Sequence, residues 1–450
     1  MSKSYVTLGT RRLTRGWSRP QISGSLIENL PLPQLCARRL IPSVIMSLIL
    51  VYLGVIFLSA LLLISCNKIF TEAPEPHTTL EEPFDGLSAS ELAAFLRGDD
   101  AFSQAFTVET GLGPLFNNTA CVSCHPGDGR AHPNAAFKFF GKVTGTSIDL
   151  LTDLGGPQLQ DKSIPGVPPE ELPAEANAVS ERAAPPVFGV GLIEFIPVQD
   201  ILANEDQTDL DGDGISGRAH WVTSADFVPA HEVGGGPGPQ LGRFGLRANT
   251  SSLLQQVVRA YHQDIGITTD FLPLENYPPH LKAPADVVPD PELSAAVVQD
   301  VVFYLRTLAP PKRGKITAEV LQGEKLFTEI GCAKCHIPKL KTGSSPFPVL
   351  AYRDAELYSD LLLHDMGPAL ADNFIDGDAA GYEWKTKPLW GIGRAADALG
   401  GIPFYLHDAR TSDLSEAILL HGGEAQARRD SFSALSEAER KAILAFLMSL

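Results

Sequence analysis

Two stretches decide how this chain is organised: LFNNTACVSCHPG at residues 115–127 and LFTEIGCAKCHIP at residues 326–338. Each contains the pattern C-x-x-C-H, the attachment signature of a covalently bound c-type haem. The two sulfurs bond to the porphyrin, and the histidine that follows binds the iron from one face. The sequence therefore predicts two haem c groups, held by Cys121, Cys124, His125, Cys332, Cys335 and His336.

The spacing and repetition of the motif argue against other uses of paired cysteines. A zinc ribbon places its pairs about 15–20 residues apart, whereas these pairs lie in different halves of the chain. A thioredoxin-like dithiol does not need a histidine after both pairs. The remaining cysteines, Cys36 and Cys66, precede the main body, which is left with no free thiol and no disulfide.

A second pair of segments extends the repeat. LSAAVVQDVVFYLRTL (293–308) aligns without gaps to LSEAERKAILAFLMSL (435–450). Both place apolar residues at helical spacing after a Leu-Ser pair that can cap a helix. The predicted fold is mainly α: two cytochrome c-like helical domains with long loops, preceded by an N-terminal signal or anchor segment.

Changes in composition set the predicted boundaries. Pro310 and Pro311 end the first closing helix, because proline cannot continue a helix. Four segments are predicted: residues 1–67 as a signal peptide or membrane anchor, 68–85 as a tether, 86–311 as an N-terminal haem domain with a long insertion, and 312–450 as a C-terminal haem domain.

The N-terminal segment predicts attachment to a membrane. No charged residue lies between Arg39 and Lys68, and this apolar run is long enough to span a bilayer. It ends in LISC, which resembles the lipobox of bacterial lipoprotein signal peptides, where the cysteine (here Cys66) carries the lipid. An uncleaved transmembrane helix is the alternative. Both place the body on the periplasmic side of the membrane, because the basic residues before the run stay cytoplasmic.

The overall charge argues against a nucleic-acid partner. The chain has 36 Lys and Arg against 53 Asp and Glu, a net charge of −17. Binding to phosphate backbones needs a basic face, which this balance does not favour.

Several further segments carry a family resemblance, and they run through most of residues 88–450: GLGPLFNNTACVSCH, PPVFGVGLIEFIP, DLDGDGISGR, GRFGLRA, DIGIT, YSDLLLHDMGPALAD, WKTKPLWGIG, FYLHDAR and AILLHGGEA. Through them the chain resembles the bacterial di-haem oxidoreductases described as thiol oxidoreductases or peroxidases, which are relatives of di-haem cytochrome c peroxidase. Two small departures are Ala409, where relatives have glycine in HDGR, and Ile265, where they often have methionine in DMG.

The resemblance bears on the second ligand of the C-terminal haem iron. Peroxidase relatives carry a distal methionine downstream of the His-Asp-Gly motif, and this chain has His421 there. We predict His336 and His421 as the two ligands, with Met366 as second choice for the distal one. His364 and His407 are expected either to contact propionates or neighbouring loops, or to act directly.

The N-terminal haem iron is expected to keep an open or water-occupied sixth position. Peroxidase relatives carry a distal histidine beyond the motif, whereas FKFFGKV (137–143) contains none. His132 follows the motif too closely to reach across the porphyrin. The alternative is that His220, His231 or His262 from the long insertion closes the position.

Glu194 is the predicted acid–base residue. It lies in GVGLIEFIP between apolar neighbours, which suits a carboxylate that shuttles protons. Peroxidase relatives also place a glutamate in the corresponding insertion. The alternative is a structural glutamate paired with an arginine, for which Arg218 and Arg247 are candidates.

The segment DLDGDGIS (209–216) predicts a calcium loop. Asp209, Asp211 and Asp213 alternate before a glycine, as in the first half of an EF-hand, and relatives of the peroxidase group carry a calcium between the haems. His220 stands where an EF-hand has its bidentate glutamate, so the loop is incomplete. A solvated acidic turn is the alternative.

Together these features predict a di-haem c-type redox enzyme of the cell envelope. The function expected is reduction of hydrogen peroxide, with electrons entering through the C-terminal haem from a small cytochrome or cupredoxin. Trp221, Trp384 and Trp390 are candidates for electron transfer between the irons, and core packing is the alternative for each. The alternative functions are an oxidoreductase acting on another substrate through a high-valent haem, and an electron-transfer cytochrome with both irons six-coordinate.

Overall fold

The computed structural model describes residues 48, 52, 53, 80–276, 278 and 287–450. Residues 75–450 form one compact unit. The predicted signal or anchor segment, with Cys66, lies outside the described residues except at positions 48, 52 and 53. Among the described residues, no helix combines the length and apolar character needed to cross a bilayer. The division of the body at residue 311 stays a prediction.

Helices carry the two repeated segments. Both predicted closing helices are confirmed, as α5 and α9. The α-helices of the described residues are α1 (Ala89–Ser103), α2 (Val190–Phe195), α3 (Val198–Leu202), α4 (Leu253–Ala260), α5 (Ala295–Thr307), α6 (Ala318–Glu329), α7 (Leu414–Leu419), α8 (Gln426–Ala434) and α9 (Glu437–Leu447).

Short antiparallel strands accompany the helices, so the expectation of a mainly α chain is corrected to helices plus small sheets. They pair as β1–β4, β3–β2–β5, β6–β7, β8–β9 and β10–β11. The strands of the described residues are β1 (Leu115–Phe116), β2 (Phe137–Thr144), β3 (Ser147–Asp149), β4 (Lys162–Ser163), β5 (Ala178–Arg182), β6 (Trp221–Thr223), β7 (Pro239–Leu241), β8 (Leu340–Lys341), β9 (Asp354–Ala355), β10 (Leu363–Asp365) and β11 (Glu383–Lys385).

The helix starts follow from the sequence. Ser436 accepts a hydrogen bond from the backbone N–H of Glu439, whose side chain binds back to Ser436, and this capping box begins α9. Ser88 and Glu91 do the same for α1. Ser294 stands at the N-cap of α5 without a side-chain capping bond.

The two haem motifs follow equivalent helix crossings. α1 packs on α5 in the first half, and α6 packs on α9 in the second. The contact is close because Gly98 faces the backbone of Asp300, and Gly323 faces that of Ala442. An added Cβ at either glycine would collide with that backbone, so the crossings depend on the absence of a side chain.

Candidate functional site

Both haem motifs open onto one cavity of about 890 Å³ within the compact unit. Its walls include Cys121, Cys124 and His125 of the first motif. They also include the second motif: Cys332, Cys335 and His336. The structure therefore brings together all six residues that the sequence assigns to haem attachment.

Each motif is a single tight turn. The backbone N–H of His125 donates to the carbonyl of Cys121 (2.9 Å), and that of His336 donates to the carbonyl of Cys332 (3.0 Å). None of the four cysteines forms a disulfide, and burial raises the pKa of Cys121 and Cys332 to about 12. Among the described residues, no group of side chains close enough to share a metal ion contains cysteines from both pairs. This disfavours a shared zinc site.

The histidine of each motif is oriented by a backbone carbonyl. Nδ1 of His336 lies 2.9 Å from the carbonyl of Tyr358, and Nδ1 of His125 lies 3.4 Å from that of Gly129. Burial lowers the pKa of both histidines to about 4. Each ring is therefore neutral at physiological pH, with Nε2 as the nitrogen that can bind a metal.

His421, the predicted distal ligand, belongs to the lining of the cavity that both motifs share. It lines the same cavity as His336, just after α7, and its Nδ1 lies 2.8 Å from the carbonyl of Ala417. Burial lowers its pKa, so Nε2 of a neutral ring is again the free nitrogen. Met366 also lines the cavity, so the choice between the two distal ligands stays a prediction.

His364 lines the cavity but has no free nitrogen. Its Nδ1 lies 2.7 Å from the Glu424 carboxylate and its Nε2 lies 2.8 Å from that of Asp360. Both nitrogens of this buried ring are therefore occupied by carboxylates, which removes His364 from the candidate iron ligands.

Buried positive charge in the cavity wall fits the carboxylates of a haem. Arg130, Arg182 and Lys385 are at most 9% exposed and line the cavity, together with Lys387. Nε of Arg130 and Nη2 of Arg182 are buried without a hydrogen-bond partner among the described residues. Asp376 pairs with Arg182 at 2.7 Å, and this leaves a surplus of cations. Buried unpaired cations are costly, so this wall is suited to anionic propionates.

An aromatic stack stands between these cations. The ring of Trp384 lies 3.7 Å from that of His407 at an interplanar angle of 16°, and Arg247 covers Trp384 at 4.0 Å. Trp390 also lines the cavity, whereas Trp221 is 42% exposed. The sequence offered three tryptophans without a choice, and the structure places Trp384 among the charged groups of the cavity.

The remaining described histidines do not line the cavity. His220 is buried with Nδ1 2.6 Å from the carbonyl of Arg247, and His262 has Nε2 2.8 Å from that of Leu274. His132 accepts a hydrogen bond from the backbone of Asn134 (3.1 Å), and His231 is exposed. None of the three insertion histidines is therefore placed to close the first iron's sixth position.

Glu194 is held in an ion pair and does not line the cavity. Its carboxylate receives Nε and Nη2 of Arg306, at 2.6 and 3.1 Å, inside the core. The arginines named from the sequence pair elsewhere: Arg218 with Glu383 and Arg247 with Asp372. The structure thus places Glu194 in the structural role that was the alternative, with a different arginine, and this placement does not support a catalytic role.

The acidic loop is assembled differently from its sequence pattern. Carboxylate oxygens of Asp206, Asp209 and Asp211 lie within 4.8 Å of one another. Asp213 turns away and pairs with Lys334 inside the second haem motif. Asp206 was not expected in this group, because it lies outside the alternating run.

The same loop is fixed to the second half at two other points. Ser216 donates from its N–H (2.9 Å) and its hydroxyl (3.0 Å) to Glu424, the carboxylate that also holds His364. Arg428 donates to the backbone carbonyl of Asp213 at 3.1 Å. The loop therefore lies against the C-terminal haem motif, although the sequence pattern predicts it as part of the N-terminal haem domain.

Comparison with known proteins gives one family match over most of the chain. The family described as "Di-haem oxidoreductase, putative peroxidase" matches residues 67–142 and 171–450. None of the curated proteins searched matches the chain.

Two solved structures match the chain at low sequence identity. Hydrazine synthase of Kuenenia stuttgartiensis, pressurised with 20 bar xenon, has 14% identity and a TM-score of 0.36, covering 85% of this chain and 97% of that chain. A MauG-like protein associated with microbial copper homeostasis has 15% identity and a TM-score of 0.34, covering 85% and 95%.

Proposed function

Because the chain belongs to the di-haem oxidoreductase family, we propose that it is a di-haem c-type enzyme of the cell envelope that reduces hydrogen peroxide to water. Membership makes it a haem-dependent oxidoreductase. The observation that supports the finer proposal is the single cavity that both haem motifs line, with its buried cations suited to propionates. Haem iron passes single electrons, and where a coordination position is open it binds a small oxidant.

The two halves have different tasks in this proposal. The C-terminal motif, with His336 and His421, would hold the haem that accepts electrons one at a time from a small cytochrome or cupredoxin. The N-terminal motif, with His125, would hold the haem that supplies the electrons for reduction of the oxidant. The reaction balances as hydrogen peroxide plus two protons and two electrons giving two water molecules. Trp384 and His407 stack in the wall of the cavity that serves both motifs.

The experiment is turnover by the purified full chain, with covalent haem measured on the same sample. We expect two haems that survive denaturing electrophoresis, and oxidation of a reduced cytochrome or dye that depends on peroxide. Replacing both cysteines of one motif by alanine should leave one haem and abolish turnover. A wild-type chain with two covalent haems and no peroxide consumption would overturn the proposed reaction.

The proposed location is the periplasmic side of the membrane, with attachment either by lipid on Cys66 or by an uncleaved helix. Fractionation of the Cys66→Ser variant separates the two. Loss of acyl labelling and of the processed form supports the lipoprotein. An unchanged, unlabelled membrane protein supports the helix.

We also propose that the acidic loop binds calcium, through the group that the structure assembles around Asp209 and Asp211. Hard carboxylate oxygens are the ligands that calcium takes in proteins. Asp213, predicted from the sequence as a third ligand, pairs with Lys334, and we therefore propose Asp206 as the third ligand instead.

A further inference from the structure

One part of the cavity lining, beside the first haem motif, is polar and carries a single carboxylate. Asn118 donates from its side-chain amide to Sγ of Cys124 (2.9 Å), and this polar wall also includes Gln158, Tyr261, Gln263 and Asp264. Much of the remaining lining is apolar. A few polar groups that converge in an apolar cavity mark where a small ligand is oriented.

Asp264 is the carboxylate of this wall. Nε2 of Gln158 donates to its Oδ1 at 2.7 Å, and no described cation forms an ion pair with it. Its backbone carbonyl accepts from the N–H groups of Asn117 (2.8 Å) and Asn118 (3.0 Å), just before the first cysteine of the motif. The side chain is thus held by Gln158 and is not paired with a described cation, and the residue is half-buried and lines the cavity.

The surroundings allow Asp264 to hold or release a proton near neutral pH. Burial raises its pKa to about 7, although the hydrogen bond from Gln158 opposes the shift. Asp264 lies close enough to raise the pKa of Cys121 and of Cys124, and the other ionisable groups beside these cysteines include Lys162 and Tyr261. The cysteines cease to titrate once they are thioethers. Lys162 donates to the carbonyl of Asn117 (2.5 Å), and the Tyr261 hydroxyl is buried without a hydrogen-bond partner among the described residues.

We propose that Asp264, not Glu194, is the group that transfers protons in the cavity at the first haem motif. The inference rests on the proposed peroxide reduction. The Asp264 carboxylate takes one proton from hydrogen peroxide and returns it to the departing oxygen as the O–O bond breaks, so that this oxygen leaves as water. Two electrons from the external donor and two protons from solvent complete the second water, and Asp264 ends in its starting state.

The comparison with Glu194 shows why position decides between the two. Glu194 is bound by two nitrogens of Arg306, which also pairs with Glu232, and it does not line the cavity. A base must reach the proton that it removes, and an ion pair with arginine makes a carboxylate a poorer base. Asp264, by contrast, lines the cavity and has no arginine partner among the described residues.

The test compares Asp264→Asn with Glu170→Gln in the haem-loaded full chain. Glu170 is a matched control, because it is 6% exposed and burial raises its pKa to about 7, yet it does not line the cavity. We expect Asp264→Asn to lower peroxide turnover on the order of 100-fold, as loss of an acid–base group does. Glu170→Gln should retain wild-type turnover, and Asp264→Glu should recover part of it.

The second readout is the rate of cyanide binding to the ferric protein. Cyanide enters as hydrogen cyanide and must lose its proton to bind, so Asp264→Asn should slow association while covalent haem content and the melting temperature stay at control values. Equal turnover and equal cyanide rates in Asp264→Asn and Glu170→Gln would overturn the inference. If the wild type consumes no peroxide but Asp264→Asn still slows cyanide binding, the proposed reaction falls and the proton-transfer role stands. If the wild type neither consumes peroxide nor binds cyanide, both fall.

Discussion

His364 shows how neighbouring charges set the state of one side chain. Burial lowers its pKa, but hydrogen bonds with Asp360, Cys335 and Glu424 raise it by more, so the net pKa lies well above the ordinary value. The ring is 3% exposed and stays an imidazolium at neutral pH. His364 therefore links Glu424, which binds the acidic loop, to Asp360, which lies beside the second motif.

This state predicts a pH-dependent contribution to stability. A histidine whose pKa is higher in the folded than in the unfolded protein stabilises the fold fully below the unfolded value, about 6.5. The contribution is lost as pH rises through the folded pKa. Urea unfolding should show His364→Gln less stable than wild type at about pH 6, with a gap that narrows by up to about 1.4 kcal/mol per pH unit above it. The exposed His231→Gln is the control, and a gap independent of pH would contradict the prediction.

At the same scale, the sequence could supply attachment residues but not pairing partners. C-x-x-C-H is a local pattern, so His125 and His336 could be assigned directly. The partner of Glu194 could not, because Arg306 meets it only where α2 packs on α5. The sequence singled out Asp264 only as part of a family segment. Its candidate role depends on its burial and on its place in the cavity lining, and neither can be predicted from local sequence.

Helix crossings are the element that both halves share. Gly98 and Gly323 each let a helix approach the closing helix of its own half closely enough for backbone contact. The sequence predicted the closing helices from their apolar spacing and Leu-Ser starts. It missed the strands, most of which are two or three residues long, too short for an alternating pattern to be read.

Alanine at either crossing should therefore destabilise its half. We expect Gly98→Ala and Gly323→Ala each to lower the free energy of unfolding by about 1–3 kcal/mol, because the new methyl group overpacks the interface. Gly314→Ala is the control, since its added Cβ would be no closer than 3.6 Å to its neighbours. Thermal unfolding measures the stability of all three variants. If Gly98→Ala and Gly323→Ala are as stable as Gly314→Ala, the prediction is wrong, because the helices can then move apart with no loss of stability.

The acidic loop makes a second prediction for an element. If calcium binds there, adding it should raise the melting temperature, with about 2.7 kcal/mol of stabilisation at a hundredfold excess over the dissociation constant. Asp209→Asn should lose most of this response and the exposed Asp226→Asn should keep it. A wild-type melting curve that neither calcium nor a chelator moves would contradict the site.

On the scale of the whole molecule, the haem cavity joins charges that the sequence keeps far apart. Arg130, Arg182 and Lys385 come from distant segments, and β5 and β11 deliver the last two to the cavity. No local sequence pattern predicts this group of cations, because each residue taken alone would be expected at the protein surface. The excess charge becomes visible only when the chain is folded.

This arrangement predicts that the fold depends on its prosthetic groups. Protein produced in cells that cannot attach haem should be less stable by several kcal/mol, because buried cations lack counter-charges. Thermal unfolding of the haem-free and haem-loaded chains measures the difference. Arg130→Met should reduce it, because burial lowers the pKa of Arg130 only to about 10 and the group stays a cation at neutral pH. Equal stability of the haem-free and haem-loaded forms would contradict the role given to this wall.

The salt bridge between Asp213 and Lys334, with the bonds from Ser216 to Glu424, has a consequence for anyone who dissects this chain. A fragment starting at residue 312 would carry an intact C-x-x-C-H motif. It would lose the contacts that residues 213 and 216 of the preceding half make with this region. Lys334 would lose Asp213 and Glu424 would lose Ser216, although His364 would keep both of its carboxylates, Asp360 and Glu424. The N-terminal half therefore supports the C-terminal haem motif through these contacts.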